Sequence, residues 1–166
     1  MRSKTSRCGG RNRGIVMDVD LILSILHYLL IFALVAIMAM ELMLLRPGLA
    51  GPRLAQLGGI DGAYGGTAGA LVVVGFLRVF FGATDSGFYL GNPVFWMKIG
   101  AFVIVGLISI KPTIDIVRWR RLAKADASFV VPDAEVKSAR TFIHAEAAVF
   151  ILIPIFAALM ARGYGL

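Results

Sequence analysis

Long apolar stretches of this sequence are interrupted by a small set of ionisable residues, and their spacing sorts them into two layers. His27, Arg78 and Lys98 fall near one end of three different stretches. Glu41, Asp61, Tyr64, His144 and Glu146 fall near the other end, with Lys111 and Asp115 at the edge of that layer. An ionisable group at bilayer depth costs about 3 kcal/mol or more unless it is paired or hydrated, so each of these is a functional candidate by default. Most lie within a turn or two of a membrane surface, which weakens that default.

The first layer sets an imidazole beside a guanidinium and an ammonium. Such a group suits an anionic ligand, and a neutral imidazole also binds metals and haem iron, with the two cations placed to meet haem propionates. A b-type haem is therefore the candidate cofactor for His27, Arg78 and Lys98. The bland alternative has Arg78 and Lys98 extending their charges to the surface while His27 bonds a carbonyl. The second layer could relay protons among Glu41, Asp61 and Glu146 beside His144. A structural network, in which Glu41 and Asp61 neutralise Arg53, Lys111 or Arg140, is favoured over the relay. A haem held by both His27 and His144 is disfavoured, because the two sit in opposite layers roughly 20 Å apart by helix rise.

Four membrane helices have to position these groups. Their apolar runs predict spans near 19–45, 58–81, 93–117 and 140–161, and nothing in the sequence reads as a strand. The first ends at Arg46-Pro47-Gly48, a basic stop and a helix breaker. His27 and Glu41, fourteen residues apart, lie about 21 Å apart along that helix and on nearly the same face. Tyr64 and Arg78 repeat the spacing on the second. Gly58, Gly62 and Gly66, with Gly65 and Gly69 alongside, form a small-xxx-small ladder, read as packing that lets helix backbones approach closely. Pro93 opens the third helix, Lys98 lies one to two turns inside it, and Lys111 and Pro112 sit near its other end. The connection before it contains Asp85, and its aromatics Phe88 and Tyr89, with Phe95 and Trp96 beyond, look like an interfacial belt. Pro132-Asp133-Ala134-Glu135 marks a helix start ahead of the fourth span, which contains Pro154 and ends at Arg162-Gly163.

Composition agrees with an all-α, integral membrane four-helix bundle. A chain that is 58% apolar and 16% charged, with a mean hydropathy of +0.82, is too hydrophobic for a soluble domain of 166 residues. Four membrane spans with their short connections take up nearly the whole length, so residues 17–166 are expected to be a single domain. The net charge of +7 sits beside the spans, where it meets anionic lipid rather than nucleic acid. The lone Cys8 excludes an intrachain disulfide and any cysteine metal cluster.

Residues 1–16 are basic and polar and are expected to be disordered. Counted with this tail, Lys and Arg divide 9 against 8 across the membrane; counted from Met17 they divide 9 against 3. The second count predicts a native start at Met17, both termini on the periplasmic side and the connections after spans one and three in the cytoplasm of a bacterial inner membrane. No catalytic nucleophile arrangement, phosphate-binding glycine loop or HExxH occurs, so the sequence assigns no enzyme reaction and no metal site.

The runs ELMLLRPGL from Glu41, IDGAYG from Ile60, GFLRVFFG from Gly75, FYLGNPVFWMKIGAF from Phe88, GLISIKPT from Gly106 and the terminal ALMARGYG resemble a bacterial family of predicted membrane proteins, domain-of-unknown-function family 2214. The resemblance covers essentially Met17 to Leu166, its members typically begin near Met17, and it implies no activity. More distantly, a His in the first helix and a Lys early in the third are similar to the membrane protoporphyrinogen oxidase and copper-resistance-type bundles, some of which bind b-haem. That similarity extends to His27 and, less closely, Lys98 and Arg78. Three functions follow as expectations: a membrane assembly or interaction subunit with a homo-oligomeric or membrane protein partner; a haem- or porphyrin-binding redox protein; and a small proton-coupled transporter.

Overall fold

A computed structural model describes residues 8–81 and 86–164, with side chains from Met17 onward except those of residues 86, 88 and 89. The first seven residues, Asp85 and the rim aromatics Phe88 and Tyr89 lie outside the described side chains, as does that of Cys8. The elements are α1 (Cys8–Leu44), α2 (Gly51–Phe81), α3 (Ser86–Gly91), α4 (Pro93–Ala125), α5 (Asp133–Phe150) and α6 (Leu152–Ala161). Four segments are long and apolar enough to cross a membrane: Met17–Leu44, Gly51–Phe81, Pro93–Ala125 and Asp133–Ala161. Among the described residues the one β-type pairing is an isolated antiparallel bridge between Ala50 and Val130.

The helices run past the ends that the apolar pattern marks. That pattern reports only the stretch facing lipid, whereas a helix continues until a cap or a glycine turn stops it. Gly48 and Gly51 adopt φ of 75° and 51°, the left-handed region that a side chain disfavours, and they turn the chain between α1 and α2. Asn92 caps α4 by accepting from Val94 N at 2.8 Å, with Pro93 at the first helical position. The fourth span is two helices joined at Ile151. Pro154 has no N–H for the Phe150 carbonyl, and the break falls in that turn.

The spans pack as a square. α1 lies against α2, α2 against α4, α4 against α5 and α6, and α5 closes back on α1. Among the described residues the α1 and α6 backbones do not approach within 8 Å, so there the ring closes at one end only. At that end the α1–α2 and α4–α5 connections meet. Val131 N donates to Leu49 O at 2.9 Å and Gly48 N to Asp133 Oδ1 at 3.3 Å. Leu45, Leu49, Leu57, Trp119, Val131 and Ala139 are almost fully buried there. This connection end is the best-packed part of the bundle. At the other, terminal end, Asn92 Nδ2 donates to Tyr164 O at 3.2 Å, tying the start of α4 to the chain's C-terminal segment.

Candidate functional site: two polar layers across an apolar belt

The inner face of α2 repeats at helical spacing as Leu54, Leu57, Gly58, Asp61, Tyr64, Leu71 and Val74, all buried. Asp61 and Tyr64 thereby enter the centre of the bundle. Glu41 arrives from α1 and Glu146 from α5, and all three carboxyls are buried, at 4% exposure for Glu41, 9% for Asp61 and 1% for Glu146. Tyr64 donates its hydroxyl to Glu146 Oε1, a bond that crosses the diagonal of the square. Thr113 on α4 donates to Asp61 Oδ1 at 2.8 Å. Every span thus contributes a polar group to one cluster, and Glu41 Oε1 is buried with no hydrogen-bond partner.

Glycines explain how Arg120 reaches this layer. A Cβ at Gly58 would stand 2.1 Å from Arg120 Cδ, so the bare backbone of α2 is what admits the Arg120 side chain. The rest of the ladder does something else. Gly59, Gly62, Gly65, Gly66 and Gly69 would each place a Cβ in open space, because they lie off the Asp61–Tyr64 stripe and face outward. Of the ladder only Gly58 has a neighbour at its missing Cβ, and that neighbour is the Arg120 side chain rather than a helix backbone.

His144 stands apart from the carboxyls. It is exposed, donates Nδ1 to Arg140 O at 2.7 Å, and lines a cleft at the connection end with Pro47, Val136, Lys137, Arg140 and Thr141. Lys111 is held by Asp115 at 2.5 Å, and Arg118 lies 3.5 Å from the same carboxylate. Arg140 donates to the carbonyls of Leu45, at 2.7 Å, and Leu42, capping α1. Glu135 accepts from Trp119 Nε1 and Arg118. The pairing of Glu41 and Asp61 with Arg53, Lys111 or Arg140 does not occur, since Lys111 and Arg140 have these other partners and no salt bridge joins Arg53 to either carboxyl. Thr113 and Arg120 escaped the sequence reading. A threonine and a loop-proximal arginine carry no signal of depth, and only the packing of α4 on α2 reveals them.

At the terminal end, His27, Arg78 and Lys98 come together from α1, α2 and α4, each within electrostatic reach of the others. His27 Cε1 would lie 3.6 Å from a Cβ on Gly75, so the ring rests against α2. Nδ1 of His27 and Nε of Arg78 are buried and unpartnered. No acidic side chain among the described residues pairs with the three. Between the two layers lies a belt of Leu34, Met38, Leu71, Val105, Phe150 and Ile153, all buried.

A family model described as "Predicted membrane protein (DUF2214)" matches residues 19–165. The chain belongs to that family. No curated protein and no solved structure matches it. In this DUF2214 member, four apolar helices therefore carry a carboxyl cluster at one end and a cation cluster at the other.

Proposed function

We propose that this membrane protein binds an anionic ligand at the His27–Arg78–Lys98 cluster, with a porphyrin carboxylate such as b-haem the ligand that the residues suit best. The observation that carries this is the pair of buried, unpartnered nitrogens, His27 Nδ1 and Arg78 Nε, in a cluster that no described acid pairs with. A buried donor left unmade costs about 1–3 kcal/mol, and an anion that accepts from Arg78 Nε–H removes that cost, while a neutral His27 offers one ring nitrogen as donor and the other as ligand. The donor set fits haem: His27 would ligate the iron, and Arg78 and Lys98 would hold the propionates. Bound haem would supply one-electron redox chemistry. A second histidine ligand is not at hand, because His144 lies at the opposite end.

The test is an absorbance spectrum of detergent-purified protein, expressed with normal haem supply, before and after dithionite. A Soret band that is lost in His27→Ala supports the reading. Arg78→Ala and Lys98→Ala, each removing a charged hydrogen bond of about 1.5–3 kcal/mol, should weaken retention by roughly tenfold to a hundredfold. A wild-type protein without a Soret band overturns haem as the ligand.

A second reading, an assembly or interaction subunit, draws on the outward glycines. Gly59, Gly62, Gly66 and Gly69 leave a backbone strip on the lipid face of α2 to which another helix, from a second copy or a membrane protein partner, could pack closely. Proton-coupled transport has less support, since the apolar belt separates the two polar layers. The membrane is taken to be a bacterial inner membrane, with the connection end cytoplasmic, on the distribution of Lys and Arg.

A further inference from the structure

We propose that Glu41, Asp61 and Glu146 form a proton-binding site in which Glu41 carries a proton at neutral pH and Asp61 exchanges protons with water at the connection end. Three carboxyls from three helices share one buried layer, where full ionisation would place three negative charges in low dielectric. The groups facing them do not neutralise that charge. From α2 and α4 come two hydroxyl donors, Tyr64 to Glu146 and Thr113 to Asp61. Arg120 of α4, lying over Gly58, is the cation facing Asp61, and it makes no salt bridge to any of the three. Lys111 and Arg118 are taken by Asp115, Arg140 of α5 by the carbonyls of α1, and His144 points away. Compensation therefore falls to protons.

Glu41 is the group that needs one. Its Oε1 is buried without a partner, and a protonated carboxyl adds an O–H donor where the layer holds only acceptors in excess. Exposure then orders the path. Asp61 is the most open of the three and adjoins Arg120, which is partly exposed near the connection end, while Glu146 is the deepest. The step is a simple proton transfer: hydronium at the connection end gives a proton to the Asp61 carboxylate and leaves as water, and Asp61 passes that proton to a Glu41 carboxylate whose own proton has left by the reverse path, with no electron moved. Leu34, Met38 and Leu71 close the other side, so exchange is with one aqueous phase.

The experiment is infrared spectroscopy of the full chain in lipid bilayers, titrated from neutral to alkaline pH in light and heavy water. Wild type should show a protonated-carboxyl C=O band at neutral pH that shifts on deuteration and disappears in alkali. E41Q should lose a discrete part of that band, E41D should shift it, and D133N, at the exposed connection, should leave it unchanged. D61N should slow its deuteration severalfold. A wild-type protein without this band at neutral pH, or a band untouched by E41Q, E41D and D61N, overturns the proposal; the wild-type titration decides even if a variant fails to fold. The outcome is independent of haem binding, which is read at the other end of the bundle.

Discussion

At Gly58 a missing side chain sets what the carboxyl layer sees. Any Cβ there would clash with the Arg120 side chain, so a larger residue has to displace the guanidinium that faces Asp61. Gly58→Leu should lower stability by about 1–3 kcal/mol, as overpacking does. Gly62→Ala, one turn on, faces open space and should be neutral or stabilising by up to about 1 kcal/mol through helix propensity. Thermal unfolding of both variants in the same detergent checks the contrast. Equal losses would mean that Gly58 owes nothing to Arg120.

At the level of elements, the connection end is held by contacts between helix ends rather than by lipid-facing packing. Arg140 satisfies carbonyls that the last turn of α1 leaves open, and its removal exposes them within a buried site. Arg140→Ala should cost about 1.5–3 kcal/mol, with Arg140→Lys recovering part, measured by denaturant unfolding in detergent. At the end of α4, the side chain and backbone N–H of Ser128 hydrogen-bond Asp126 and hold its carboxyl below the usual carboxylate range. A depressed folded value means the turn's contribution is full above the unfolded value and is lost as pH falls through the folded one. The Ser128 amide resonance should therefore move with acid titration in wild type and stay put in Asp126→Asn.

For the whole molecule, the square has two unlike ends: a tight one carrying the α1–α2 and α4–α5 connections, and a looser one where α1 and α6 stay apart near His27, Arg78 and Lys98. The orientation proposed above is checked by reporters. A periplasm-active fusion after the last residue should be active, and the same reporter inserted in the turn after Asp126 should be silent; the reverse pattern would invert the assignment.

Much of this was legible in the residues alone. Apolar runs of membrane-spanning length fix four helices, because a bilayer admits no unpaired backbone, and fourteen-residue spacings fix two polar layers on one face of α1. The gathering of His27, Arg78 and Lys98 at one level also follows from alternating helix direction. Rotation about each helix axis does not, because lipid-facing and core-facing residues of a membrane helix are alike in hydropathy. Only tertiary packing turned His144 and most of the glycine ladder outward, brought Arg120 and Thr113 beside Asp61, and left Glu41 buried without a partner.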